Sequence, residues 1–591
     1  MKYKKNFEIF YWTGIIIFFA GGILLNFQFA YDYTIIKNLM GFLFCIFLSI
    51  YYIYKRKEFE FSIFVYLPLI FFAWILISAF YAPFKFESAK SLENYILYFL
   101  IFIISSNLKI DKKIFYVWIT SGIIASIIGI FQFYGPRHYP ISTFGNPNFY
   151  AGHIIMVLSL TLSNILNYKE YKNEKLGKFF SYIDILSLFF CLWGLILTNS
   201  RAAIMAFILT IPFMLYLNNL EKKGILKYVG LLITVFFIIL YYPKILLWYR
   251  TNIRFYIWQG TWKLIIKKPI LGWGLGNFIF YYPYFRIKEY FLQPESRNVT
   301  NHPHNEYLEI WSETGLIGFL IFLSLILFLI INFIKKKESN KLLFVGIIGG
   351  IISVLLDNIF STNMRNPSTS MYFWFLIGIT FQYFKREKVP FEVSQLIWYI
   401  IFLTSVVLFI FHSFYRILPQ VYFKMSESIK ELISYEEKMG RKIYEDSFRI
   451  KLYKECIENY HKACALNPND YEIWYKLAYM YGKVGDYKKA RDIYLKINNY
   501  LFPHYAKTDA NLGTIYIKMG NFEKALQYYK IAEWFNPYDV DLLCSIASIY
   551  IIYYNNIESA LNYIKRVLNL DPKNKYANIT ILKLKEEGKL K

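Results

Sequence analysis

Over its first 415 residues the chain alternates long apolar stretches with short polar connections, and after that its character changes. Runs such as Ile15–Ala20 and Ile321–Phe333 are apolar on every helical face rather than on one, a pattern that suits lipid and not a water-facing surface. A helix that crosses a bilayer needs about 20 mostly apolar residues. Scanning on that basis predicts about thirteen membrane helices, near 10–28, 36–54, 61–81, 93–107, 114–134, 148–166, 179–198, 201–217, 225–242, 308–334, 342–361, 368–384 and 395–414. From about Ser426 onward no run reaches that length, and tyrosine-rich amphipathic stretches take over. The expected fold is all-α: a polytopic helical membrane part over 1–415, then a soluble helical domain over 426–591.

With the N-terminus in the cytoplasm, 23 basic residues fall in the expected inner connections against six in the short outer ones (Lys37, Lys85, Lys90, Arg137, Arg201 and Arg365). That asymmetry sets orientation. Met1–Asn6 and the run behind it then read as a first anchor, because no small-residue cleavage site follows. The long connection, 243–305, lies outside. With thirteen spans the C-terminal domain faces outward too.

In the C-terminal domain Trp474, Leu477, Ala478, Tyr481, Ala490 and Tyr494 are echoed by Leu512, Gly513, Tyr516, Ala525 and Tyr529, then by Ile546, Ala547, Tyr550, Ala560 and Ile564. Pro468, Pro537 and Pro572 stand in the closing turns, and Gly485 and Gly520 in the turns within repeats. This resembles the tetratricopeptide repeat, an α-solenoid in which small residues let paired helices touch. The repeats are expected at about 437–470, 471–505, 506–539 and 540–574, the first of them degenerate.

Composition agrees: 56% of residues are hydrophobic and 18% charged. The net charge of +25 belongs to loops facing the cytoplasm and does not call for nucleic acid. Five cysteines without a C-x-x-C pair signal neither zinc nor a disulfide framework.

Polar residues that interrupt apolar helices at a membrane edge are functional candidates, and four clusters qualify. Gly145-Asn146-Pro147-Asn148 either caps the sixth span or touches substrate through Asn146 and Asn148. Asn199-Ser200-Arg201 is a tight outer turn whose arginine needs an anionic partner. In the long loop Arg250 and Arg254 precede Trp258 and Trp262; Arg254, Trp258 and Trp262 share a helical face, which suits an interfacial helix or an arginine snorkelling to headgroups. The Gly272-Trp273-Gly274-Leu275-Gly276 run behind them follows no strand and is a close backbone turn, not a dinucleotide fingerprint. The fourth cluster runs from His302-Pro303-His304-Asn305-Glu306 to Glu309 and Glu313. A metal on the H-x-H pair lacks helical ligand geometry and a third histidine. A helix-capping histidine is one alternative, and a general base oriented by Asn305 or Glu306 suits the chemistry of imidazole better.

In this order the clusters are similar to the O-antigen ligase and polymerase superfamily of membrane glycosyltransferases, which includes bacterial O-oligosaccharyltransferases. The resemblance spans about 145–318 and, by helix count, extends to about 415. It implies a GT-C-like fold in a bacterial inner membrane and inverting transfer of a glycan from an undecaprenyl-diphosphate carrier to an acceptor hydroxyl. It implies His304 as the acceptor-activating base and Arg201 and Arg254 as diphosphate ligands; Asn146, Asn148, Asn199, Arg250, Asn305 and Glu306 are the further candidate substrate contacts. No cofactor or metal is required, because arginines supply fixed bidentate donors to a departing diphosphate. The acceptor is a lipid A core, a glycan or a protein, and the repeats suit a protein partner. A transporter or flippase would place ionisable groups deep in several spans, with Asp184 and Asp357 the candidates; a repeat scaffold would need one anchor only.

Overall fold

A computed structural model of the chain describes residues 2–26, 32–170, 176–218, 252–293, 300–335, 341–439 and 446–590. The expected helix at 225–242 and Arg250 lie outside them. The described residues divide into two compact units.

The first unit, Met1–Phe278 with His302–Ile417, is the membrane bundle. Among its described residues and those of the helix that continues from it, nine helices are long and apolar enough to cross a membrane, from Phe7–Leu24 to the 45-residue stretch Phe391–Tyr435. Three further expected spans are helices that fall short on that measure. Lys341–Asp357 and Pro367–Phe381 have 17 and 15 residues. Lys85–Ser106 starts earlier than the apolar run at 93, with Lys85, Glu87 and Lys90 in its first turns. The polar start is tolerated because Glu93 is buried against partners on the last span, His412 Nδ1 and Arg416 Nε, the latter at 3.2 Å. Lys37, expected in a connection, is fully buried instead; its Nζ donates to the Ile23 and Leu25 carbonyls at 2.9 and 3.0 Å and so satisfies the open C-terminal end of the first helix.

Two helices start on the same device. Asn146 Oδ1 accepts from Asn148 N–H, and Asn366 Oδ1 from Ser368 N–H, both at 2.8 Å, each with proline at the first helical position. This is an ordinary N-cap, so the Asn146 side chain is committed to structure. Every residue of Pro367–Phe381 is buried, which places that helix at the centre of the bundle. His153 of Pro147–Leu166 bridges to it: Trp118 Nε1 donates to His153 Nε2 at 3.0 Å, and His153 Nδ1 meets the Ser368 carbonyl at 2.9 Å. Asp184 accepts from Tyr116 Oη and Asn164 Nδ2, each at 2.9 Å.

The second unit comprises Leu418–Lys591 and, from the long loop, Ile279–Asn301. It begins earlier than the composition change at 426 suggests, because helix Phe391–His412 runs on through the π-turn Ser413–Ile417 into Leu418–Met439. Leu418–Met439 pairs with Asp446–Leu466, so the first helical pair starts well before 437. The pairs Tyr471–Val484 with Tyr487–Lys496, Thr508–Lys518 with Phe522–Phe535, and Val540–Ile552 with Ile557–Leu570 follow, and Lys575–Glu586 ends the series. Gly485 (φ +86°) and Gly520 (φ +77°) make the turns within repeats, and Asn555 (φ 48°) takes that role in the last. Ala478, Ala490, Ala525, Ala547 and Ala560 are wholly buried where the helices touch.

Candidate functional site

The scaffold of the site is a broken helix. Glu306–Lys335 is kinked at Gly315, whose φ of 70° and ψ of −177° are not helical. The backbone groups freed at the kink are satisfied by the glycine-rich turn. Trp273 N–H donates to the Ser312 carbonyl at 2.9 Å and Gly274 N–H to the Glu313 carbonyl at 2.8 Å, while Leu316 N–H donates to the Pro269 carbonyl at 2.8 Å. So close an approach excludes side chains: a Cβ on Gly272 would stand 2.6 Å from the Glu313 carbonyl, and one on Gly315 would overlap the Ile270 carbonyl oxygen. The glycines of this loop are therefore structural. Gly315→Ala is expected to destabilise the protein by about 2 kcal/mol or more, from left-handed strain plus the overlap. Thermal unfolding in detergent checks this, and a wild-type melting temperature would contradict it.

Upstream of the kink the same helix carries Glu306, Glu309 and Glu313 along one face, all buried. Arg365, from the turn Asn363–Arg365, enters between them. Its Nε lies 3.0 Å from Glu306 Oε1 and 3.6 Å from Glu309 Oε1, and its Nη1 lies 2.7 Å from Glu313 Oε2. Burial opposes its charge, but the three carboxylates outweigh that and hold the guanidinium protonation well above its ordinary value. His302 completes the cluster, with Nδ1 2.7 Å from Glu309 Oε1. The sequence reading missed Arg365 as a site residue. The signal was present: three glutamates at i, i+3 and i+7 make a carboxylate stripe that cannot be buried without a cation.

The loop before this helix is sewn to the loop after Lys341–Asp357. Asn305 Oδ1 caps Leu308 N–H at 3.0 Å and its Nδ2 donates to the Ile359 carbonyl at 2.9 Å. Glu306 N–H donates to the Asn358 carbonyl at 3.0 Å, and Tyr307 Oη to the Leu355 carbonyl at 2.8 Å. Helix Ile253–Lys267 fastens both loops from the side, because Arg254 Nη1 donates to the Phe360 carbonyl at 2.7 Å and Trp258 Nε1 to the Pro303 carbonyl at 2.9 Å. Arg254 therefore packs on the bundle and does not snorkel away from it. Between these fastenings His304 is half-buried in a left-handed conformation, φ 54°. Burial, and then the charges of Arg254 and His302, push its pKa down to about 4, so the imidazole is neutral at pH 7.

Asp357 lies beneath, accepting from Ser361 Oγ at 2.8 Å and Asn363 Nδ2 at 2.6 Å. Asn363 Nδ2 also donates to the Asn148 carbonyl at 3.0 Å, so the backbone of Asn148 joins the network. Arg254, His304, Asn305, Glu306 and Asn148 are thus linked through one set of loops at one end of the bundle. No hydrogen bond or ion pair among the described residues ties Asn199 (φ 52°) or Arg201 to that set. They are exposed at the turn between Gly177–Leu197 and Arg201–Asn218, and among the described residues Arg201 has no hydrogen-bonding or ionic partner. The described residues hold no group of three or more His, Cys, Asp or Glu placed to bind a metal ion.

Comparison with known proteins separates the two halves of the chain. Residues 186–323 match the family described as O-Antigen ligase, a stretch that contains Arg201, Arg254, the glycine turn, His304 and the three glutamates. Residues 452–492 and 510–532 match tetratricopeptide repeat families. Among curated proteins the chain is 31% identical to BBSome complex member BBS4 of Bos taurus over 133 residues, 22% of this chain and 24% of that one. It is 29% identical to TPR repeat-containing protein YpiA of Bacillus subtilis over 164 residues, 28% of this chain and 37% of that one. The match thus spans only 24% and 37% of these curated relatives' own length. Among solved structures the one titled "Crystal structure of MamA" is similar at 22% identity and a TM-score of 0.21, covering 26% of this chain and 87% of that one. This chain is a membrane protein whose residues 186–323 match the O-antigen ligase family and whose C-terminal end matches tetratricopeptide repeat families.

Proposed function

We propose that this chain transfers a glycan from an undecaprenyl-diphosphate carrier to an acceptor hydroxyl at the outer face of a bacterial inner membrane. The observation that carries the reading is His304: a neutral imidazole beside the Arg254 guanidinium, at a bundle end, inside the segment that matches O-antigen ligases. A neutral imidazole can take a proton and the neighbouring cation can hold a developing negative charge, which are the two needs of this reaction. His304 removes the acceptor proton as the acceptor oxygen attacks the anomeric carbon. The bond from that carbon to the diphosphate oxygen breaks on the opposite face, which inverts the centre, and the carrier diphosphate leaves. Arg201, exposed and unpaired among the described residues, and the N–H groups of Arg254 not spent on Phe360 receive that charge.

Sidedness follows the charge asymmetry of the connections, which puts the long loop outside. That Ile279–Asn301, part of that same loop, groups with the repeats supports reading them on the loop's side. Their presence favours a protein acceptor or partner over a free glycan, since solenoid grooves suit peptides. The same chemistry serves lipid A core ligation and polysaccharide polymerisation.

The test is transfer from a lipid-linked oligosaccharide donor by purified protein, with the glycosylated product identified. Arg201→Lys is expected to lose nearly as much activity as Arg201→Ala, about a hundredfold, because an ammonium cannot make the bidentate contact. Activity is expected to persist in EDTA. Loss in chelator with recovery on added divalent ion would replace arginine stabilisation by metal chemistry.

A further inference from the structure

Between the helices Ile63–Tyr81, Lys85–Ser106 and Phe391–His412 the membrane bundle leaves a cavity of about 400 Å³. Every residue that lines it is apolar or aromatic, among them Phe61, Leu69, Phe99, Ile103, Val389 and Ile401. Such a lining offers water too few hydrogen-bond partners, and an apolar void left empty costs stability in proportion to its size. Of the lining residues Tyr66 and Ile400 are 56% and 53% exposed, so the cavity opens on the outside of the bundle. Both stand on helices long and apolar enough to cross a membrane. The mouth therefore faces hydrocarbon, and an occupant enters from the bilayer.

One side of the cavity is walled by a two-stranded ribbon. Glu60–Phe61 pairs antiparallel with Glu387–Lys388, and Val389 N–H donates to the Phe59 carbonyl at 2.9 Å. Ser394 Oγ ties both strands to helix Phe391–His412, accepting from Phe59 N–H at 2.9 Å and donating to the Val389 carbonyl at 3.0 Å. Side chains alternate along a strand. Phe59, Phe61 and Val389 line the cavity, whereas Glu58 and Glu60 take the other face, paired with Lys388 Nζ at 2.7 Å and Arg386 Nη1 at 2.9 Å. The ribbon and its approaches are basic: residues 55–60 and 385–388 carry six basic side chains against three acidic ones. Arg56 and Lys385 are exposed and have no ion-pair partner among the described residues. The connection that carries Arg56 is held beside the cavity, since the Lys57 carbonyl accepts from Trp398 Nε1 at 3.0 Å and Trp398 adjoins the lining residue Ile397.

We propose that this cavity is a lipid site, which takes one acyl chain of an anionic glycerophospholipid whose phosphate is held by the basic residues at the ribbon. An apolar slot that opens into hydrocarbon beside a cluster of cations matches both parts of such a molecule. Read from the charge asymmetry of the connections, the ribbon lies on the inner side, so the lipid belongs to the inner leaflet, across the membrane from the proposed glycan transfer. The bound chain completes the packing between Ile63–Tyr81 and Phe391–His412. Nothing in the proposal requires the transfer reading.

The experiment uses the full-length protein in nanodiscs of phosphatidylethanolamine and phosphatidylglycerol, with a trace of phosphatidylglycerol that carries a diazirine in its acyl chain. After irradiation, labelled residues are mapped by mass spectrometry. Phe189, 57% exposed on Gly177–Leu197, is the reference for ordinary contact with lipid. Labelling across 59–69 and 397–401 is expected to exceed that reference by about tenfold. Ile401→Trp, which fills the cavity, and Ile400→Trp, which blocks its mouth at an exposed position and so leaves the fold intact, are each expected to bring labelling down to the reference. Arg56→Gln combined with Lys385→Gln is expected to lower it by about fivefold or more, through loss of the headgroup contact. Labelling in wild type no greater than at Phe189, or enrichment that survives Ile400→Trp and Ile401→Trp, would overturn the lipid site. Equal enrichment with a phosphatidylcholine probe, unchanged in the Arg56 and Lys385 variant, would overturn the anionic headgroup.

Discussion

His304→Ala is expected to lower the proposed glycan transfer by about 10²–10⁴-fold, the contribution of a general base, and to leave folding unchanged. Folding is spared because the loop is fastened by groups other than this ring: Trp258 to the Pro303 carbonyl, Asn305 to the Ile359 carbonyl, and Glu306 N–H to the Asn358 carbonyl. His302→Ala should lose less than about tenfold, because its imidazole is committed to Glu309, which keeps Arg365 as a second partner. Equal losses in the two variants would sink the assignment. The pH profile gives a second check. A histidine pKa pushed down to about 4 means that the proton is gone at lower pH than usual, so the base is available throughout the range above that value. Transfer measured as kcat/KM is therefore expected to rise through pH about 4 and to run flat toward neutrality. A rising limb near 6.5, the ordinary histidine value, would point to another base.

Arg365→Met is expected to destabilise the protein by about 3–5 kcal/mol, the cost of removing one partner from a buried ion cluster. Glu306, Glu309 and Glu313 are each about 1% exposed, and without the guanidinium they face one another with only His302 at the edge. A domain with about 5–15 kcal/mol of total stability then has little margin. Arg365→Lys is expected to recover only part of the loss, because one ammonium cannot reach three carboxylates in the geometry the fork satisfies. Glu313→Gln, which keeps two of the three carboxylates on the arginine, should cost less than either. Thermal unfolding of purified variants measures the order, and an Arg365→Met protein that melts with wild type would show that the cluster contributes nothing to the fold.

Much of the fold was written in periodicity. Apolar runs marked the membrane helices because lipid demands apolar character on every face of a helix over a bilayer's thickness. The repeats declared themselves through spacing, since helices that touch through Ala478, Ala490, Ala525 and Ala560 must recur at the same register. Boundaries were less legible. The last span continues through Ser413–Ile417 into the first repeat helix, since a helix does not stop where polarity changes unless a capping residue or glycine stops it. Lys85–Ser106 begins inside charged sequence because Glu93 finds its cation on a helix more than 300 residues away in the chain.

The candidate site divides along the same line. The sequence by itself determined which residue types gather at the span ends: Asn146, Arg201, Arg254, His304 and the glutamates, together with the order that resembles O-antigen ligases. It also carried the Asn-Pro caps, because a cap acts on backbone within three residues. Only the tertiary structure decided which of these residues meet. It committed the side chain of Asn146 to a cap, joined Arg254 to the 357–366 loop, left Arg201 exposed, and brought Arg365, first counted as an outer-loop charge, among the three glutamates. It also assigned Ile279–Asn301 to the repeat domain. The physical reason is range. Hydrophobic period and capping act between near neighbours in sequence, whereas a buried charge, a freed carbonyl at a kink or an exposed aromatic ring is satisfied by whatever partner the folded chain brings near.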